Sequence, residues 1–245
     1  SWDVSSVMYM NGMFTNSDFN QAINNWNVSN VIEMANMFYG TPFNQDISSW
    51  NVSNVTNMAG MFAYSQFNQH INSWNVSNVN DMSYMFTGNA TTYFNQDLSS
   101  WDVGSVTNMH RMFNYSKFNQ DISNWDVSNV TDMSYMFVGS PFNQDIGYWD
   151  VGNVTDMSYM FHTCETFNQD LSAWDVSSVT SMDTMFYSAT SFNQDISSWN
   201  VSNVTNMVQM FQNAISFNQD LSSWNIENVG TNCSSFCNGA ISWTL

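Results

Sequence analysis

The chain says one sentence ten times. Tryptophan stands at Trp2, Trp26, Trp50, Trp74, Trp101, Trp125, Trp149, Trp174, Trp199 and Trp224, in steps of 24 or 25 residues with a single step of 27. The Phe of each "FNQ" precedes Trp by seven residues, and the second Met of each unit, the one in "MF", follows Trp by eleven in the first nine units. All variation in length falls between "MF" and "FNQ", so that stretch is a loop and the remainder follows a fixed path. A unit this short cannot bury two faces alone, but it can when stacked on copies of itself. The series runs unbroken by any linker, which makes residues 1–245 one tandem-repeat domain. Residues 225–245 form a degenerate last coil or cap: "MF" has become Ser235-Phe236, and "FNQD" is missing before Trp243.

The unit's local pattern predicts its shape. In "SWNVS", Trp50 and Val52 fall on one side and Asn51 on the other, the alternation of a short strand. Met58, Met61 and Phe62 are spaced i, i+3, i+4, which predicts a short helix or helical turn. Thr56 is placed as its N-cap, and Asn57 or its counterparts Asp132 and Asp156 suit its first turn. The expectation is a repeat solenoid of about ten coils, each a parallel strand plus a short helix. Strands paired at ~4.8 Å would make a rod of roughly 50 Å.

"FNQDISSWNVSNVTNM..MF" resembles the bacterial surface protein 26-residue repeat, called BspA-like and related to the leucine-rich repeats. The resemblance covers nearly the whole chain. It implies a leucine-rich-repeat-like solenoid in which Asn30, Asn54, Asn78, Asn129, Asn153, Asn203 and Asn228 form an inward asparagine ladder. Ser6, Ser105 and Ser178 interrupt that ladder. It also implies an extracellular or cell-surface protein engaged in adhesion or structural work, and no reaction.

Charge narrows the partners. Arg111 and Lys117 oppose 20 acidic residues, for a net charge of -18. Such a surface repels nucleic acid and anionic lipid. No run of about 18 apolar residues spans a bilayer, and the opening "SWDVSSV" lacks the pattern of a secretion signal. Two functions remain. One is an adhesion module that meets a protein or glycan through the outward row after Trp. The other is a filament subunit that stacks head to tail by its coil ends, with Trp2 at an open edge.

The conspicuous residues are mostly architecture. Of 19 Met, 18 fill two fixed slots, and ten of the 11 Trp fill one, the mark of a core rather than a cofactor box. His70, His110 and His162 occupy three different slots with no metal-ligand spacing. No Ser/His/Asp or Cys/His set and no phosphate loop is present, so the chain reads as non-enzymatic and without a cofactor.

Asp46, Asp97, Asp121, Asp145, Asp170, Asp195 and Asp220 form one row. Asp3, Asp102, Asp126, Asp150 and Asp175 form another. One reading has calcium bridging stacked carboxylates, with Asp97, Asp121, Asp145, Asp170, Asp195 and Asp220 as candidates. The other has each carboxylate capping a turn, as Ala22, His70 and several Asn in the same slots suggest.

Among the sequons, Asn27, Asn51, Asn75, Asn89, Asn114 and Asn200 are the glycosylation candidates, because they follow Trp or lie near loops. Sequons in the ladder are excluded. Cys233 and Cys237 are the candidate disulfide of an exported protein, which leaves Cys164, in a loop, unpaired.

Overall fold

The computed structural model describes residues 2–89, 91–232, 234–236 and 238. We number coils from each repeat Trp: coil 1 is 2–25, coil 2 is 26–49, coil 3 is 50–73, coil 4 is 74–100 and coil 5 is 101–124. Coil 6 is 125–148, coil 7 is 149–173, coil 8 is 174–198, coil 9 is 199–223, and coil 10 begins at 224.

Identical slots lie on one another. Trp50 and Val52 are buried and Asn51 is exposed. Within a coil the two Phe rings stack face to face, as in Phe38–Phe43 at 4.0 Å and Phe113–Phe118 at 4.0 Å. Between coils the same rings repeat, Phe38 to Phe62 at 5.7 Å and Trp50 to Trp74 at 6.4 Å. With Val, Ile and the paired Met they fill one continuous core.

Two kinds of hydrogen bond join the coils, one on each side of that core. From the bridge residue onward the bonding is backbone to backbone. Met58, Gly60, Phe62 and Tyr64 donate their N–H groups to the carbonyls of Asp81, Ser83, Met85 and Thr87 in the next coil. The alternate N–H groups close tight turns: Met61 donates to Met58, Ala63 to Gly60 and Ser65 to Phe62.

Around Trp the side chains take over. The Trp74 indole N–H donates to the Ile47 carbonyl at 3.1 Å, and Trp125 to Leu98 at 3.1 Å. Asn54 Nδ2 donates to the Ser29 carbonyl at 2.8 Å. Asn44 Oδ1 accepts both the Asn68 N–H and Gln69 Nε2. Side-chain donors can do this only if the same residue returns in every coil, which is the physical reason for the monotony.

These bonds change the expected secondary structure. Among the described residues there is no helix, and strand pairing shrinks to single parallel bridges, Tyr9 to Glu33, Glu33 to Asn57, Asn57 to Asp81 and onward to Ser181 with Asn206. The segment predicted as a helix, Met58–Phe62, is a run of turns. An α-helix with its side chains is ~10–12 Å across, whereas backbone bonds hold this side of adjacent coils at strand spacing, ~4.8 Å. Every second N–H goes to the neighbouring coil and the alternate ones close tight turns, so none is left to close a helix. At the predicted strand Trp50–Val52, the Trp50 N–H and the Val52 carbonyl close turns with Ile47 and Val55, and the flanking carbonyls of Ile47 and Ser53 take the Trp74 and Asn78 side chains in place of a ladder.

The asparagine row does bond coil to coil, from Asn30 to Asn228, but its side chains lie at the surface rather than inward. At the other end, Asn232, Ser234, Phe236 and Asn238 accept from coil 9 in the same alternating pattern.

Candidate functional site

The turns of coils 1–3 and 5–9 each hold a left-handed residue twice, and those of coil 4 once. In the 58–61 turn this is Gly60, at φ 61°, and in the 62–65 turn it is Tyr64, at φ 56°. A turn with φ > 0 at its third residue favours glycine, because a Cβ there meets its own carbonyl. The first of these slots holds Gly12, Asn36 and Gly60 in coils 1–3. In coils 4–7 it holds Tyr84, Arg111, Tyr135 and Tyr159, all between φ 57° and 61°. Bulky residues at φ > 0 cost of order 1 kcal/mol each and gather where a site requires them.

They gather here. Tyr135 stacks on Tyr159 at 4.3 Å, almost parallel. The Arg111 guanidinium lies 4.3 Å from the Tyr135 ring centre and 5.6 Å from that of Tyr84. His162 stacks on Tyr187 at 4.8 Å and lies 5.5 Å from Tyr159. This stripe on the turn face of coils 4–8 holds one of the chain's two basic residues and two of its three histidines.

A directed chain of hydrogen bonds anchors one end. The Ser134 hydroxyl donates to Asp132 Oδ1 at 2.5 Å, so it must accept from His110 Nδ1–H, 2.6 Å away. That leaves His110 Nε2 to accept the Tyr84 phenol proton at 3.1 Å. Burial pushes the His110 imidazole below its ordinary range, opposed by the nearby Asp132 carboxylate. At neutral pH the 3.9 Å approach of His110 to Asp132 is therefore a contact of a neutral ring with a charge.

Asp, Ser and His do meet, but in the order Asp132–Ser134–His110–Tyr84. In a nucleophilic triad the imidazole sits between acid and hydroxyl and takes the hydroxyl's proton. Here the serine gives its proton to the carboxylate, and the imidazole donates to the serine. The arrangement locks side chains and does not activate Ser134.

The same face carries an unusual acid. Asp183 occupies the slot of Ala35, Ala59, Ser83, His110, Ser134, Ser158 and Val208. Burial raises its carboxyl above the ordinary range, Asp156 adds to the effect, and its hydrogen bond comes from the Thr184 hydroxyl at 2.9 Å. Burial, followed by the charge of Tyr159, raises the Tyr135 phenol, and Asp183 contributes.

The residues singled out by sequence lie elsewhere. In the row before Trp, Asp97, Asp121, Asp145, Asp170, Asp195 and Asp220 each accept the backbone N–H two residues on, at 2.9–3.0 Å. The backbone N–H of Ser123 holds Asp121 below the ordinary carboxylate range, and Ser172 does the same for Asp170. The row after Trp makes the same turn with Asp126 or with Asn51. Among the described residues, no three His, Cys, Asp or Glu converge as a metal would require. A shallow cleft of about 560 Å³ on this face is lined by Asn72, Ser73, Trp74, Asn75, Ser100 and Asp102, and Asn72 is tied to Asp97 and Ser100.

Asn27, Asn51, Asn75, Asn89 and Asn200 are exposed. Asn114 is a correction: at 4% exposure it sits inside the turn stack, where a sugar has no room. Cys164 is likewise no loop residue. It is fully buried in the slot of Ser65 and Ser116, its thiol meets the Phe137 carbonyl at 2.8 Å, and burial pushes it up to about 12. Cys233 and Cys237 lie outside the described residues.

Sequence alone assigns no site role to His110 or Arg111 and does not single out Tyr84 or Tyr159. The signal for Tyr84, Arg111 and Tyr159 was present: a slot given to Gly or Asn in coils 1–3 turns to Tyr and Arg in four successive coils.

Stacked coils joined by bridges and tight turns define a tandem-repeat protein with one irregular face. The chain belongs to the family described as Mycoplasma protein of unknown function, DUF285, which matches residues 1–92, 65–147 and 139–244. No curated protein and no solved structure matches it. No helix among the described residues is long and apolar enough to cross a membrane.

Proposed function

We propose that this chain is a non-catalytic binding module of the cell surface, an adhesion scaffold whose ligand face is the turn-face stripe of coils 4–8. One observation carries the reading: the repeat departs from itself there, placing Tyr84, Arg111, Tyr135 and Tyr159 in a left-handed slot that suits glycine. Left-handed residues other than glycine run the length of the stack, but only here do rings and a guanidinium follow one another in that slot, and a solenoid with no ligand gains nothing from them. Tyr and Arg are also the side chains on which protein interfaces concentrate their energy. The order Asp132–Ser134–His110–Tyr84 supports a rigid, unreactive surface.

The same reading keeps the kinship with the bacterial surface protein repeats and, through them, the leucine-rich repeats. In its favour is the asparagine row that donates to the carbonyls of the preceding coil. The surface location and the adhesive role follow from that kinship.

An array of defined extracellular matrix proteins and glycans tests the function, probed with the wild-type chain and with a Tyr135→Gly/Tyr159→Gly variant. Glycine fits both backbone positions, so the rings are lost while the turns remain. Saturable binding that the variant loses is the expected result. Ligands held equally by both proteins would overturn the choice of face.

A further inference from the structure

Resting on that reading, we infer that the end of the stripe formed by Tyr135, Tyr159, His162 and Tyr187, with Asp156 and Asp183 beside it, docks a segment of a partner protein that presents arginine or lysine.

Charge is the first argument. Arg111 and Lys117 both belong to coil 5, so coils 6–9 contain no basic side chain except His162, whose imidazole burial holds below its ordinary range. The acids there have no lysine or arginine of their own to meet. The second argument is Asp183. Other acids of this face, such as Asp132 and Asp156, sit in turn-capping slots and accept a backbone N–H. Asp183 stands in a different slot, where the other eight of coils 1–9 place a non-acidic residue, and takes the Thr184 hydroxyl. A partly buried carboxylate with a single hydroxyl donor keeps lone pairs open to a cation.

The third argument is that the molecule already holds a guanidinium on this stack. Arg111 lies over Tyr135 at 4.3 Å, the geometry of a cation over an aromatic face. The stripe continues from there through Tyr159, His162 and Tyr187, with acids in place of further cations.

The same facts exclude other occupants. Phosphate backbones and anionic lipid are repelled by a chain of net charge -18. A second copy brings two basic residues and the same excess of acid.

The test is fluorescence polarisation of a labelled ten-residue peptide of alternating Arg and Gly, at physiological salt, with the 245-residue chain. An acidic protein attracts any polycation, so the controls carry the argument. Asp183→Asn and Asp126→Asn remove the same charge, the first at the proposed site and the second on the far row after Trp. Tyr159→Gly removes a ring without changing charge. Expected are saturable one-to-one binding, a loss of about tenfold with Asp183→Asn and with Tyr159→Gly, and less than about twofold with Asp126→Asn. Thermal melts of each variant show whether the fold is kept.

Equal losses from the two Asp variants would mean diffuse attraction and overturn the proposal. So would peptide binding indifferent to Tyr159. A neutral or acidic ligand found on the array and dependent on Tyr159 would also overturn the cationic partner, while leaving the binding-module reading in place.

Discussion

Replacing Tyr159 by glycine and, separately, by alanine isolates the strain on which the choice of site rests. Both variants lose the ring and its 4.3 Å stack on Tyr135, so their difference reports the backbone alone. Tyr159 sits at φ 60°. Alanine there keeps the left-handed penalty of ~1–2 kcal/mol, and glycine does not. Glycine gives back ~0.4–1 kcal/mol because its unfolded chain is freer. The glycine variant should therefore be the more stable by about 0.5–1 kcal/mol. For a chain of this length that is a melting difference of roughly 2–4 °C per kcal/mol. Ser158, next in sequence and outside the left-handed region, serves as control, and there the order should reverse, with Ser158→Ala above Ser158→Gly. Urea titration followed by tryptophan fluorescence measures all four, and equal slopes establish that the denatured states are comparable. Alanine as stable as glycine at position 159 would refute the strain argument and remove the main reason for placing a site on this face.

Trp125→Phe keeps most of the ring but deletes the indole bond to the Leu98 carbonyl, and should cost about 1–2 kcal/mol by urea titration. Asp121, held below the ordinary range chiefly by the Ser123 N–H, binds its proton less tightly folded than unfolded. Its contribution is thus complete above the unfolded value of about 4 and fades as pH falls through the lower folded value. Asp121→Asn, which can still accept that N–H, should lose less stability than wild type in melts between pH 5 and 2. Chelation should shift the melting temperature by no more than a few degrees, since the Asp rows already cap turns; a large drop reversed by calcium would contradict this, because an ion at 100 times its Kd adds ~2.7 kcal/mol. Cys164, buried with its thiol up at about 12, should resist a maleimide in the native chain and react in urea.

Sequence alone determined the period and the inward Trp, Val, Met and Phe slots, because a unit of 24 residues that must stack leaves a mark in every copy, and the resemblance to a known repeat pointed to the coil-to-coil asparagine row. It could not decide what the Met58–Phe62 segment becomes. The spacing i, i+3, i+4 suits a helix and a pair of overlapping turns equally, and the choice depends on whether each N–H finds its partner within the coil or in the next. Only the stack, with its ~4.8 Å spacing, settles that in favour of turns. The buried places of Asn114 and Cys164 follow from those turns, since a helix and loop would have exposed them. The candidate site lies in the same category. Tyr84, His110, Arg111, Ser134, Tyr159 and Asp183 are scattered over a hundred residues and meet only because turns of one shape are laid one upon another. The left-handed backbone of Tyr84, Arg111 and Tyr159 is likewise a property of the tertiary hydrogen bonds and of no local sequence.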